Sequence, residues 1–206
     1  MTANQLPRSV TLKEHDVLLC VDVQNCFLPG GTLGIAKADR IIDPINKVIR
    51  IFRRRPHPVF FTRDWHPWDH CSFRDQGGPW PPHGIQETED AAFSARLDIP
   101  DNAAILSKGT HRKIEQYSTM HAHKEGGRTL TEILREAKIR RIFFCGLATD
   151  YCVINSVRDA CKEGFEVFVM TDTVCAVDVT PGDGCKALAE MEALGAHLIA
   201  SDAIEE

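Results

Sequence analysis

The sequence lacks the segments that place a chain in or across a membrane. Its longest apolar runs, such as VLLCV at residues 17–21, are far too short to cross a bilayer. The opening segment, MTANQLPRSVTLKEHD, has no apolar core of the kind that a secretory signal carries. These absences predict a soluble, cytoplasmic protein with no membrane partner.

Concentrated positive charge is also missing. The chain has 24 Lys and Arg against 29 Asp and Glu, a formal net charge of −5 and a pI of about 6.0. The one basic run, Arg53 to Arg55, is typical of the end of a helix, where cations interact favourably with the helix dipole. We therefore expect no nucleic acid partner.

The eight cysteines include no C-x-x-C pair, and several lie within apolar runs. Such cysteines are typical of buried, reduced thiols, so packing is the first interpretation of any one of them. The chain also has no internal repeat, low-complexity tract or linker. We predict a single domain over residues 1–206, in which residues 1–15 are an N-terminal extension.

Apolar periodicity predicts an α/β fold for this domain. Short β-rich runs alternate with helical patterns, which indicates right-handed βαβ crossovers. The expected architecture is a three-layer αβα sandwich around a central, mainly parallel six-stranded sheet. The predicted strands are residues 16–23, 58–64, 103–109, 140–148, 166–174 and 196–202, and the predicted helices are 36–55, 129–138, 151–164 and 182–195.

Residues 65–102 interrupt this alternation. They are dense in Pro, Gly, His and Trp and have no helical or strand periodicity. A long irregular insertion in a compact domain is usually functional or disordered, and the aromatic content argues against disorder. We interpret the segment as a loop that binds metal or substrate.

Polar residues follow the predicted strands where each one ends. Asp22, Asp64 and Lys108 end the first three strands, and Cys152 follows the fourth after a short turn. Ligands of open parallel sheets bind outside these carboxyl ends. Any one of these residues alone is more often structural, but four complementary groups at one edge indicate a site.

Cys152 has a chemical reason to be reactive at this place. A thiol in the first turn of a helix is expected to have a lowered pKa, and Lys108 adds a second stabilising charge. Asp22 can accept the thiol proton and return it to a leaving group. The backbone N–H groups of Ala148 and Cys152 can form an oxyanion hole. The implied chemistry is acyl transfer through a thioester.

The insertion carries a second set of donors. Asp64 and His66 lie two residues apart on an extended segment, and His83 follows two prolines. One Asp and two His are a plausible open site for one divalent metal ion, with zinc as the leading candidate and iron or manganese as alternatives. His70 stays open as a fourth ligand or as a hydrogen-bonding partner of the ligands. No organic cofactor is expected.

One alternative motif is disfavoured. Cys152 and Arg158 have the C-x5-R spacing of tyrosine phosphatases. The segment between them has no glycine and continues an apolar helical stripe, so Arg158 should point away from the thiol.

The chain resembles the isochorismatase-like cysteine hydrolases and, among them, the nicotinamidase (pyrazinamidase) group. The resemblance covers residues 16–202 and rests on VDVQNCF, TRDWHPWDHCSF, WPPH, SKGT and GLATDYCV, in this order. It implies a catalytic triad of Asp22, Lys108 and Cys152 and metal ligands at Asp64, His66 and His83. It also implies a cis peptide between Leu147 and Ala148, aromatic walls from Phe27 and Trp80, and Tyr151 near the pocket rim. The segment YSTMHAH at 117–123 departs from the family pattern.

The expected function is a metal-containing amidase that hydrolyses nicotinamide, and analogues such as pyrazinamide, to nicotinic acid and ammonia. The nearest alternative is a hydrolase of another small amide or of a carbamoyl or ureido compound. A catalytically silent binding protein is a third alternative, against which the triad argues. Phe27 and Trp80 fit a core role almost as well as ring stacking. Family members are often oligomeric, so a homo-oligomer is expected.

Overall fold

The computed structural model describes residues 9–55, 57–124 and 127–205. Its strands, in chain order, are β1 Val10–Thr11, β2 Asp16–Val21, β3 Val59–Asp64, β4 Ala104–Lys108, β5 Arg141–Leu147, β6 Glu166–Cys175, β7 His197–Ile199 and β8 Ile204–Glu205. Six of them form one sheet in the order β4-β3-β2-β5-β6-β7, with every pairing parallel. The predicted fold class is confirmed.

Four α-helices of the described residues cover the sheet: α1 Ile42–Arg54, α2 Leu130–Glu136, α3 Ile154–Lys162 and α4 Asp183–Ala193. The helix predicted from residue 36 begins later, because Ala38–Ile41 form a 3-10 turn and Pro44 lies in the first turn of α1. A capping box begins α2, in which the Thr129 and Glu132 side chains bind each other's backbone N–H groups. Among these described helices, none is long and apolar enough to cross a membrane.

The central strand β2 is buried on both faces and separates two cores. Leu18 and Cys20 pack on the side of α1, whereas Val17, Leu19 and Val21 pack on the side of α2, α3 and α4. This alternation follows from the two-residue period of a strand. It produces the three-layer arrangement and fixes which strands end beside one another.

The pairing of β1 with β8 was not predicted. Val10 and Thr11 lie parallel to Ile204 and Glu205, which joins the two ends of the described chain. Arg141 supports this contact, because it donates to the Thr11 carbonyl at 2.8 Å and to buried Asp16 at 2.6 Å. Strands of two residues carry no periodicity that a sequence reading can detect. The first eight residues of the predicted N-terminal extension lie outside the described ranges.

The predicted irregular insertion at 65–102 connects β3 to β4. It contains short 3-10 turns at Arg74–Gln76 and Glu89–Ala91. Isolated bridges join His66 to Ile85 and Phe73 to Trp80. These bridges fold the segment back over the carboxyl edge of the sheet.

Candidate active site

The carboxyl ends of four adjacent strands bring the predicted polar residues together. Asp22 follows β2 directly, and the register of β3 with β4 places Asp64 opposite Lys108. Cys152 lies in the turn that connects β5 to α3. Since β2 pairs with both β3 and β5, residues distant in sequence meet at one edge.

Lys108 is the centre of this cluster. Its ammonium is fully buried, 3.1 Å from Asp22 Oδ2 and 3.3 Å from Cys152 Sγ, and it also donates to the Asp64 carboxylate. The Cys152 sulfur and carboxylate oxygens of Asp22 and Asp64 all lie within 4.8 Å of one another. The structure therefore brings the three predicted triad residues together, with the Lys108 ammonium in contact with both Asp22 and Cys152.

Asp22 is held by its backbone and by one hydroxyl. It adopts a left-handed conformation with φ of 49°, which Asp tolerates better than most residues. Thr62 Oγ1 donates to Asp22 Oδ1 at 2.8 Å. Burial raises the pKa of Asp22 to about 6, although the nearby Lys108 charge opposes the shift. A carboxyl with a raised pKa is suited to accept and return a proton near neutral pH.

The expected lowering of the Cys152 pKa is wrong for the resting protein. Burial raises the pKa of this thiol well above its ordinary value, and the attraction of Lys108 only partly opposes the shift. The thiol lies in a π-helical turn, Thr149–Val153, rather than in the first turn of α3. It therefore keeps its proton at rest, and its activation requires a base.

The turn that carries Cys152 is fixed on both sides. The peptide between Leu147 and Ala148 is cis, as the resemblance implied. The Ala148 carbonyl accepts the N–H groups of Tyr151 at 3.1 Å and Val153 at 3.0 Å. On the far side, Ser156 Oγ donates to the Cys152 carbonyl at 2.5 Å and accepts the Thr119 N–H at 2.8 Å.

Asp64, His66 and His83 form a second buried group, with one donor atom of each within 4.8 Å of the others. His66 Nδ1 bonds to the Gly109 carbonyl at 2.9 Å and His83 Nδ1 to the Pro81 carbonyl at 2.8 Å. These bonds assign the proton to Nδ1, so each Nε2 is available as a ligand. Burial lowers the pKa of His83 to about 4, so its ring is neutral as a metal ligand must be. The residues fit a divalent ion that accepts nitrogen and oxygen together.

His70 does not join this donor group. Its ring stacks on the His66 ring, with centroids 4.1 Å apart. Its Nδ1 lies 2.7 Å from Ser72 Oγ, and its Nε2 lies 3.1 Å from the Ile114 carbonyl. Because both nitrogens have these partners, His70 has no free nitrogen for an ion, and its contact with His66 is ring stacking.

Gln24 is a residue that the sequence reading missed. Its side-chain carbonyl accepts the Asp64 N–H at 2.8 Å, and its amide donates to the Asp64 and Ala91 carbonyls at 2.8 Å each. Gln24 therefore binds both backbone groups of Asp64 and ties them to the insertion. The signal in the sequence was only its place, two residues after Asp22 within VDVQNCF.

A small, mainly apolar pocket opens beside Cys152. The predicted aromatic residues Phe27, Trp80 and Tyr151 line it, and the Trp80 and Tyr151 rings meet edge to face at 4.8 Å. Tyr117 accepts a hydrogen bond from Trp80 Nε1 at 2.9 Å. Tyr117, Leu33 and Val177 also line the pocket and had not been predicted as pocket residues. The remaining lining residues are Asp64, His83, Ala148 and Cys152.

Arg158 does not approach the thiol. Its guanidinium donates to Glu190 at 2.7 Å and to Asn155 at 3.1 Å. Arg158 is therefore not placed to bind a phosphate at the Cys152 turn, which argues against a tyrosine phosphatase site.

Comparison with known proteins identifies the family. A model of the isochorismatase domain matches residues 16–203. The chain belongs to the isochorismatase family. A nicotinamidase of Acinetobacter baylyi is 37% identical over 201 residues, covering 89% of this chain and 92% of that protein. A nicotinamidase of Escherichia coli is 35% identical over 197 residues, covering 88% and 92%. The resemblance found in the sequence is confirmed.

Solved structures of the same family share the fold. A pyrazinamidase of Pyrococcus horikoshii in complex with zinc is 41% identical, with a TM-score of 0.83 and coverage of 90% of this chain and 99% of that chain. PnC1 of L. infantum in complex with nicotinate is 35% identical, with a TM-score of 0.86 and coverage of 96% and 98%.

Proposed function

We propose that this isochorismatase-family protein is a metal-containing cysteine amidohydrolase that converts nicotinamide, and analogues such as pyrazinamide, to nicotinic acid and ammonia. The observation that carries the proposal is the contact of one buried ammonium, Lys108, with Asp22, Cys152 and Asp64 beside a small aromatic pocket. The similarity to nicotinamidases at 37% and 35% identity supports the choice of substrate.

Acylation begins with proton transfer from Cys152 to Asp22. The thiolate then attacks the carboxamide carbon and forms a tetrahedral oxyanion, which the N–H groups of Ala148 and Cys152 stabilise. Lys108 stabilises the thiolate, because its ammonium lies 3.3 Å from the sulfur. Asp22 returns the proton to the leaving nitrogen, and ammonia departs from a thioester on Cys152.

Deacylation uses the same base. Asp22 removes a proton from a water molecule, whose oxygen attacks the thioester carbon. The C–S bond breaks, the sulfur regains a proton, and nicotinic acid is released. Phe27, Trp80 and Tyr151 hold the planar pyridine ring throughout.

Asp64, His66 and His83 are the proposed ligands of one divalent ion, with zinc as the first choice. When bound, such an ion would supply a Lewis acid that recognises the ring nitrogen of the substrate, directly or through water. We further propose that the protein is cytoplasmic and forms a homo-oligomer.

Ammonia release from nicotinamide by the purified protein tests the proposal. We expect turnover by the wild type and none by Cys152→Ala, because no other group can form the acyl intermediate. Cys161→Ala is the matched control, since Cys161 is partly exposed on α3 and lies outside the pocket. Equal turnover by Cys152→Ala and the wild type would refute the mechanism.

A panel of other small amides separates the nearest alternative. Two ureidoacrylate amidohydrolases are 23% identical over 69% of this chain, and an N-carbamoylsarcosine amidase of known structure is 26% identical. Ammonia release from ureido or carbamoyl compounds, with none from millimolar nicotinamide, would favour that alternative.

A further inference from the structure

We propose that Ser156 and Thr119 are positioning residues for the nucleophile, because their hydrogen bonds fix the turn that directs Cys152 towards the substrate. The inference deepens the proposed function and rests on it, since it concerns the same reactive thiol. Its basis is a buried hydrogen-bond network that lies outside the pocket.

The Ser156 hydroxyl uses its full hydrogen-bonding capacity. Its oxygen lies 2.5 Å from the Cys152 carbonyl oxygen, 2.8 Å from the Thr119 backbone nitrogen and 2.9 Å from Thr119 Oγ1. Because a carbonyl can only accept, the single Ser156 proton must point to Cys152, and Thr119 must supply the other two protons. Ser156 and Thr119 are both fully buried. The network therefore holds the Ser156 hydroxyl in one orientation.

The network acts on the peptide group that follows Cys152. This peptide lies where two helical geometries meet, since the π-helical turn ends at Val153 and α3 begins at Ile154. A hydroxyl that binds the carbonyl four residues earlier often bends a helix locally. Because the peptide unit is planar, the direction of the Cys152 carbonyl constrains the backbone angles on either side of it. Those angles set the direction of the Cys152 side chain.

Thr119 ties the turn to a distant segment of the chain. It begins a 3-10 turn, Thr119–His121, within the 117–123 segment whose sequence departs from the family pattern. The hydrogen bonds of the Ala148 carbonyl hold the other side of the Cys152 turn. Cys152 therefore lies between two anchors, one within its own turn and one that involves a segment far away in sequence.

Small displacements of Cys152 are costly because its sulfur has a close partner. The Sγ atom lies 3.3 Å from the Lys108 ammonium, which stabilises the thiolate. A misplacement of about 1 Å can lower a rate about 100-fold even when its cause lies far from the reacting groups. Ser156 and Thr119 are not among the residues that line the pocket. Their loss should therefore slow the chemical step and leave substrate capture intact.

Steady-state kinetics of nicotinamide hydrolysis by the whole protein test this separation. Ser156→Ala removes the hydroxyl, so we expect kcat to fall about 10- to 100-fold, with KM within about twofold of the wild-type value. Ser156→Thr keeps a hydroxyl and should recover most of the rate. Thr119→Val removes one of the two donors and keeps the backbone N–H, so its loss should be smaller. An equal loss in Ser156→Ala and Ser156→Thr would overturn the proposal, because the hydroxyl would then not be responsible.

Ser201→Ala is the matched control for Ser156→Ala. Ser201 is also buried, and its hydroxyl donates to the Asp172 carboxylate. It belongs neither to the pocket lining nor to the Cys152 turn. The replacement should lower the Tm, as Ser156→Ala does, and leave kcat unchanged. An equal fall of kcat in the two variants would show that lost stability is the cause, and would overturn the proposal.

Alkylation of Cys152 by iodoacetamide, measured by mass spectrometry of its peptide, tests the position of the thiol without turnover. A sulfur displaced from Lys108 has less thiolate character, so Ser156→Ala should react about 10-fold more slowly than the wild type. The proposal is overturned if folded Ser156→Ala reacts as fast as the wild type or faster. If Ser156→Ala does not fold, Thr119→Val gives the same comparison with a smaller expected decrease.

The two readouts separate this proposal from the proposed function. Failure of the wild type to hydrolyse nicotinamide would count against the proposed function. The alkylation rates do not depend on that reaction, so they would still decide whether Ser156 positions the Cys152 thiol.

Discussion

Burial controls the two groups that exchange a proton in the proposed reaction. It raises the pKa of Asp22 to about 6 and raises the pKa of Cys152 well above its ordinary value. Both shifts reflect the cost of placing a charge in a buried site. Lys108 lowers that cost for whichever of the two groups is ionised, which allows the proton to move between them.

Gln24 gives a prediction about one positioning residue. Gln24→Ala removes two hydrogen bonds to the Asp64 backbone, so the Asp64 carboxylate is less well oriented as a ligand. We expect zinc affinity to fall about 10- to 100-fold, as for other residues that support metal ligands. Competition with a chromophoric chelator measures this affinity.

Asn25→Ala is the matched control for Gln24→Ala. Asn25 is the next residue, and its side-chain amide donates to the Glu89 carbonyl at 2.9 Å rather than to Asp64. Its replacement should leave zinc affinity unchanged. An equal loss of affinity in both variants would show that general loosening of the segment, and not the Asp64 contact, is responsible.

The sequence reading found the residues whose chemistry is visible in their type and place. The ends of strands can be predicted from apolar periodicity. At or just beyond such ends lie Asp22, Asp64, Lys108 and Cys152. Gln24 was missed because its role depends on a backbone contact that no periodicity reveals. The Cys152 pKa was misjudged, since burial depends on packing from several elements.

At the scale of elements, the approach of β5 to β2 depends on one glycine. Gly146 has a φ of 111°, and a Cβ built on it would lie 2.0 Å from the Val21 carbonyl oxygen. The chain is irregular here, as a register shift separates Phe144 from Gly146 in the pairing with β6. This close contact precedes the turn that carries Cys152.

Gly146→Ala should therefore destabilise the fold strongly. We expect the free energy of unfolding to fall by about 2–5 kcal/mol, because a positive φ costs about 1–2 kcal/mol and forced overpacking adds about 1–3 kcal/mol. Chemical denaturation measures the change. Gly164→Ala is the control, since Gly164 has a φ of 85° and open space around its Cβ position. A similar small loss in both variants would contradict the predicted clash.

Long periodic elements were predicted from sequence and short or irregular ones were not. Among the described residues, the four α-helices and five of the six strands of the sheet lie within predicted segments, and β6 extends one residue beyond its predicted segment, to Cys175. The pairing of β1 with β8 and the π-helical turn at Thr149–Val153 are too short for periodicity and depend on contacts between distant segments.

At the scale of the whole molecule, a metal ion would join the insertion to the sheet. Asp64 ends β3, whereas His83 belongs to the far part of the loop. An ion that binds only the folded chain stabilises it by about 2.7 kcal/mol at a free concentration of about 100 times Kd. For a domain of this size, zinc should raise the Tm of the metal-free protein by about 5–10 °C.

His83→Ala should abolish this zinc-dependent rise in Tm, because it removes one of the three proposed ligands. The substitution leaves the contacts of Lys108 with Asp22, Asp64 and Cys152 in place. His121→Ala, at an exposed histidine that lies 3.2 Å from Asp159, should retain it. Calorimetry with and without zinc measures both variants. A full rise in His83→Ala would mean that zinc binds elsewhere.

¹³C NMR of a carbonyl-labelled pyridine-3-carbaldehyde bound to the protein tests directly whether Cys152 forms a covalent bond to the carbonyl carbon of a ligand. We expect a tetrahedral, sulfur-bonded carbon resonance with the wild type that is absent with Cys152→Ala. Identical spectra from the two proteins would contradict it.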